Sequence, residues 1–282
     1  MADKFTIEER ISRIAAIFAT FRNPDKETVL TPWRVVNRHL SDCLGGYCFM
    51  DEDFEQPLDV PRYVTKQGVT EEVFTPKSVI LEINSKSGLY PLYAAYNIYR
   101  SRIEEAKKKY REDVGRQLAL QLWDATLEEN ILVVCKTPMA RSITKRTLAG
   151  FRETTVRAEY YPELIENISK QPESVVNMLH DGKRFWHFND KEYMKIDAII
   201  GNPPYQVTVA QKDTDNGQKR SASIFQHFHI ASIRVHSLSI SHNQKVALFV
   251  EVSFLRDGNN LSARPLPSAW SPGSFAGRSR LS

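Results

Sequence analysis

A chain of 282 residues with 38 basic and 34 acidic side chains carries a formal net charge of +4 at pH 7. That length buries a substantial core, as one large domain or as a domain with extensions, and the small positive excess permits nucleic-acid binding without demanding it. Apolar, aromatic and charged fractions of 41%, 10% and 26% are ordinary for a soluble globular protein. Cys43, Cys48 and Cys135 cannot all pair, and the first two lack the companion ligands of a zinc site. Idle or buried thiols in a reducing compartment are expected. The polar start, MADKFTIEER, has no apolar signal core, and no apolar run is long enough to span a bilayer. A cytoplasmic protein without a membrane partner follows as the expectation.

From the N-terminus, apolar residues at helical spacing (Ile7, Ile11, Ile14, Ala15, Phe18) predict a helix that ends at Asn23-Pro24. Thr31-Pro32-Trp33 opens a second helix, with Pro32 suited to its first turn. Gly45-Gly46 and the acidic run Asp51 to Glu55 read as loop. Ser78 to Ile83 is a strand candidate, followed by a long helix from Tyr90 to about Tyr110 and another from Gly115 to Glu129. Ile131 to Cys135 (ILVVC) reads as a buried strand, residues 152 to 195 are mixed and hydrophilic, and Ile196 to Ile200 is a third strand. Strands separated by helices imply an α/β fold with a parallel sheet.

The third strand leads into Asn202-Pro203-Pro204-Tyr205. Asn202 supplies an amide oxygen, and Pro203 supplies a carbonyl with no N–H of its own. Pro204 fixes its own φ and holds Pro203 extended, and Tyr205 supplies a flat ring. An exocyclic amine can donate hydrogens to the two oxygens while its ring stacks on the tyrosine. Acceptors held in place before reaction localise the nitrogen lone pair and raise its nucleophilicity. An adenine would have to leave its duplex to reach such a loop. The bland alternative is an ordinary Asn-Pro turn after a strand.

A second constellation, ILEINSKSGLY at Ile80 to Tyr90, is strand, small polar turn, then helix. Open α/β sheets bind ligands at the carboxyl ends of their strands. Glu82 leaves the strand and can meet a cationic amine, and Gly88 opens the helix, whose N-terminus offers N–H groups to a carboxylate. A plain strand-to-helix turn is the alternative.

Together, TPW, ILEINSKSGLY and IDAIIGNPPYQ resemble, over roughly residues 28 to 230, the adenine-specific DNA methyltransferases of bacterial restriction–modification systems. The resemblance implies a Rossmann-like, mostly parallel sheet of the S-adenosylmethionine-dependent methyltransferase type, incomplete here at the C-terminus. It implies S-adenosylmethionine as donor, direct displacement at its methyl group, and double-stranded DNA with a flipped adenine as substrate. A restriction or specificity subunit is a further implied partner. By position, Asn202, Pro203 and Tyr205 would hold the adenine, with Pro204 completing the loop. Glu82, Asn84, Lys86 and Gly88 would line the donor site near Pro32 and Trp33. Asp181, in His180-Asp181-Gly182, is the candidate acid near the donor adenine. The chain departs from the family pattern in having Glu82, Asn84, Lys86 and one glycine where an Asp and two or more glycines are usual. No acid for the donor ribose is evident.

The expected organisation is a helical segment over 1–30, a methyltransferase domain over 31–235 and an atypical tail over 236–282. The tail loses its acids after Asp257 and its lysines after Lys245, and is rich in Ser, Pro, Gly and Arg. Disorder, or an interrupted or frame-shifted end, is expected there. Two further readings stay open: an inactive remnant, and methylation of a protein glutamine, whose side-chain amide poses the same chemical problem. Cys135 to Thr147 (CKTPMARSITKRT) places Lys136, Arg141, Lys145 and Arg146 where they would meet phosphate or simply be solvated. His227 and His229 are two apart and share no helix face, so a metal is not expected. The Glu105-Ala106-Lys107 match to a nuclease core lies in a helical charge run, and Trp123 and Trp186 are expected to pack rather than stack on bases.

Overall fold

The computed structural model describes residues 5–20, 30–150 and 152–201, and the backbone of 254–257 and 260–263. The chain divides into two units, Met1–Glu251 and Val252–Ser282. In the first, α1 (Ile7–Thr20) and α2 (Trp33–Cys43) precede a hairpin of β1 (Gly46–Met50) and β2 (Pro57–Val64). Then come α3 (Thr70–Val73), β3 (Ile80–Ser85), α4 (Leu89–Tyr110), α5 (Arg116–Glu129), β4 (Ile131–Cys135) and α6 (Pro138–Ala149). The sequence continues with β5 (Arg157–Tyr160), α7 (Leu164–Lys170), α8 (Pro172–His180) and β6 (Ala198–Ile200). The described part of the second unit is an antiparallel pair, β7 (Phe254–Asp257) and β8 (Asn260–Ala263).

The main sheet is parallel, in the order β5-β4-β3-β6. β3, β4 and β6 are buried on both faces, as the largely apolar runs of parallel strands require, whereas β5 is only partly buried. Alternation divides the side chains between two cores. Ile80, Val133, Cys135, Ala198 and Ile200 face α4, α5 and α6, while Leu81, Ile83, Leu132, Val134 and Ile199 face α7 and α8. Trp123 and Trp186 are buried on opposite sides, donating their indole N–H groups to the carbonyls of Leu148 and Leu179. Both therefore pack, as the sequence suggests, since a buried indole needs an acceptor.

The predicted helices fall close to their observed bounds, and Pro32 caps α2 by accepting amides from Val35 and Val36 through its carbonyl. The β1–β2 hairpin is a difference. Gly46 begins a strand rather than belonging to a loop, and Asp51 to Gln56 forms the turn, closed by the Glu55 amide on Asp51 Oδ1 at 2.8 Å. The mixed stretch 152–195 contains β5, α7 and α8. Cys43, Cys48 and Cys135 are free thiols. Among the described residues no helix is long and apolar enough to cross a membrane.

Candidate donor site at the carboxyl edge of the sheet

β3 lies between β4, which follows it in sequence, and β6, which follows much later. Strand order reverses there, and the crevice beyond the carboxyl ends at such a point is where open α/β sheets take ligands. Glu82 stands at this junction, paired in register with Val133 on one side and Ile200 on the other. Its side chain is 4% exposed, and its Oε2 has no hydrogen-bond partner. Burial raises its carboxyl to about 8, partly offset by a hydrogen bond with Ser85. A carboxyl this dry stays protonated at neutral pH unless a cation joins it.

The turn after Glu82 is irregular. Asn84 adopts a left-handed φ of 67°, and the pairing of β3 with β4 slips between Ile83 and Ser85. Gly88 is also left-handed, at φ 75°, and caps α4 without any side-chain cap. A β-carbon on Gly88 would come within 3.0 Å of Thr144 Cα and 3.2 Å of Thr147 Cβ. The close approach that a glycine permits here is thus made by α6. Two hydroxyls complete that seam: Thr147 donates to the Ser87 carbonyl at 2.6 Å, and Ser85 and Thr144 share a hydrogen at 3.0 Å. Lys86 is half-buried, its ammonium pKa lowered by burial and then by Lys136 across the edge.

The next strand end is conventional. Thr137 caps α6 by accepting the Ala140 amide at 3.1 Å, with Pro138 in the first turn. Lys136 and Thr137 are exposed, and neither is an acid that could hold ribose hydroxyls. Of the other sequence candidates, Trp33 lies in the core against Phe49 and Tyr93, at centroid distances of 5.6 and 6.4 Å, and Pro32 is exposed beside it. Asp181 accepts the Arg184 amide at 2.8 Å and so organises the turn after α8. Glu105 and Lys107 lie on α4, where Lys107 pairs with Asp113. Asn202, Pro203, Pro204, Tyr205, His227 and His229 lie outside the described residues. Gly201 is described, and a β-carbon there would sit 2.8 Å from the Ile83 carbonyl oxygen. Gly201, the described residue that precedes the Asn-Pro-Pro-Tyr block in sequence, therefore lies directly beside β3.

Residues 129–264 match the Eco57I restriction-modification methylase family. The matched stretch takes in β4, α6, β5, β6 and the Asn202 to Tyr205 block, whereas Glu82 and the TPW block precede it. The chain is thus similar to restriction-modification methylases over that stretch, and its parallel α/β sheet accords with a methyltransferase-type fold. No curated protein matches the chain. Sequence reasoning missed the clamp of Thr144 and Thr147 on the β3–α4 turn. Both are small polar residues on a helix, and only the long-range packing of α6 gives them that role.

Proposed function

We propose that the chain is a DNA methyltransferase that transfers a methyl group from S-adenosylmethionine to N6 of a flipped adenine. The observation that carries the reading is the junction of β3 and β6, where a buried carboxyl with one oxygen lacking a partner stands next to the strand that leads into Asn202-Pro203-Pro204-Tyr205. The residues present fit the donor in one respect. Glu82 Oε2 lacks a partner in a dry site, which suits an ammonium group. When bound, the donor supplies a methyl group made electrophilic by its sulfonium.

Glu82 would hold the donor's amine, and the β3–α4 turn, with Asn84, Lys86 and Gly88, would position its amino-acid end. Asn202 and the Pro203 carbonyl would accept the two N6 hydrogens, and Tyr205 would stack on the base. Pro204 would keep those acceptors from relaxing as charge develops, because prearranged dipoles cost no reorganisation during reaction. Pro32, Trp33 and Asp181 are assigned supporting places only: the first two order α2, and the third shapes the turn after α8. A cytoplasmic location and a restriction or specificity subunit as partner belong to the same proposal.

One observation favours a second reading, a chain that keeps the fold without donor binding. The carboxyl ends of β3 and β4 carry Lys86 and Lys136, and the latter turn has no acid for a ribose. Calorimetry of the full chain with S-adenosylmethionine separates the two. Donor binding together with methylation of duplex DNA that falls at least a hundredfold in Asn202→Ala is the expected result. Absence of donor binding by the folded chain would establish the second reading.

A further inference from the structure

A cleft of about 530 Å³ crosses the outer edge of the main sheet at β5, away from Glu82. Five cations line it, Arg141, Lys145, Arg146, Arg152 and Arg157, against a single acid, Glu159. Two steps of strand spacing, from β3 through β4 to β5, set it about 10 Å to the side of the β3–β6 junction. It joins the two faces of the sheet. Arg141, Lys145 and Arg146 come from α6 on one face, while Trp186 and His187 come from the segment after α8 on the other.

Three of the five cations are held in place. Arg141 donates to the Ala158 carbonyl at 2.7 Å and to Glu159 at 3.1 Å. Arg157 donates to the Trp186 and His187 carbonyls at 2.8 and 3.0 Å and pairs with Glu128. Arg152 pairs with Asp124. Arg10 adds a sixth cation behind Gly150. Among the described residues Glu159, Asp124 and Glu128 form ion pairs with Arg141, Arg152 and Arg157, and Asp190 also acts on Arg157, while the cleft lining itself holds five cations and one acid in a chain whose whole net charge is only +4. Burial lowers the Lys145 ammonium pKa, and Arg141 lowers it further. One or two charges suffice to guard an exposed strand edge against another strand. Five around a concave surface, three of them fixed by hydrogen bonds and ion pairs, exceed that need.

We propose that this cleft binds phosphates of the DNA backbone to the side of the methylated base, fixing the duplex without reading its sequence. The proposal rests on DNA being the substrate. Guanidinium groups already oriented by backbone carbonyls lose little freedom on meeting phosphate oxygens, and they match those oxygens in pairs. Contacts of this kind set register and contribute a salt-dependent term that is equal for all sequences.

The test measures binding of a fluorescent duplex to the full chain by anisotropy across a salt series, with no donor present. Lys145→Gln/Arg146→Gln should weaken binding about tenfold at 0.1 M salt and lower the log–log salt slope by about 2. Donor affinity should stay unchanged. Lys108→Gln/Lys109→Gln, which removes the same charge from the exposed end of α4, should leave most of the slope intact. Equal slopes for the α6 variant and the unaltered chain would overturn the cleft proposal alone. No duplex binding by the unaltered chain would overturn it together with the DNA reading. Capture of polyglutamate that the α6 variant loses while keeping its duplex affinity would overturn it in favour of an acidic protein partner.

Discussion

Two strand-to-helix turns leave the carboxyl edge of one sheet side by side, and they are built differently. The β4–α6 turn is exposed and regular: Thr137 caps the helix and Pro138 fills its first turn. The β3–α4 turn is largely buried, carries left-handed Asn84 and Gly88, lacks a side-chain cap and follows a carboxyl without a full set of partners. Regular caps and satisfied polar groups are what folding alone favours. The first turn shows that this sheet can end a strand without strain or an orphan group. The irregularity of the second has no comparable folding benefit, and it coincides with the point where strand order reverses. Local conflicts of this kind concentrate at sites kept for function.

The largest test of the contrast is Glu82→Gln read against pH. In the unfolded chain the carboxyl titrates near 4.5, whereas burial raises it to about 8 in the fold. Below 4.5 both states hold the proton and Glu82 adds no pH dependence. Between 4.5 and 8 the unfolded state ionises while the folded state does not, so stability falls as pH rises and levels off above 8. The full loss is on the order of 4 to 5 kcal/mol. Urea unfolding from pH 5 to pH 8.5 should show this decline in the unaltered chain and a flattened profile in Glu82→Gln. Parallel profiles would mean that Glu82 is already ionised and partnered, and the two turns would no longer differ in kind.

Much of this arrangement was legible in the sequence, and the exceptions have physical causes. ILVVC coincides with β4, and IDAIIG encloses β6, because buried parallel strands are continuous apolar runs whose signal is local. The first strand candidate, Ser78 to Ile83, is displaced to Ile80–Ser85, since Asn84 and Ser85 continue the strand through a bulge that polarity disguises. The hairpin was hidden. β1 lacks alternation, and β2 carries Pro57 and Pro61, which a strand tolerates here because the pair has no further partner strand among the described residues. Arg157–Tyr160 is short and polar because it forms the sheet edge. Glu82 could be named from its position after an apolar run. Its orphan Oε2 is a product of tertiary burial, and the grip of α6 on Gly88 arises from residues some sixty positions away in the chain. No local pattern reports them.

A smaller effect sharpens the same contrast. Gly88→Ala must hold a left-handed φ of 75° and place a β-carbon 3.0 Å from the backbone of α6. The backbone term alone is about 1 kcal/mol, and the contact should bring the total to roughly 2 to 3 kcal/mol, since Thr144 Cα cannot yield as a flexible side chain would. Thermal unfolding would read this directly. A neutral outcome would show that α6 moves away from the β3–α4 turn at little cost, and the turn would then owe its shape to something other than that seam.

The smallest expected effect lies at the regular turn. Thr137→Ala removes the hydroxyl that accepts the Ala140 amide and should cost about 1 kcal/mol, measured as a lower urea midpoint at unchanged slope. Because Thr144 and Thr147 on the same helix hold the β3–α4 turn, the informative quantity is the coupling between Thr137→Ala and Gly88→Ala. Independent turns give additive losses. If α6 is the body against which the irregular turn is set, the double variant should lose less than the sum, because a helix already loosened at its start yields more readily to the added β-carbon. Strict additivity would separate the two turns and confine the strain to the β3–α4 connection itself.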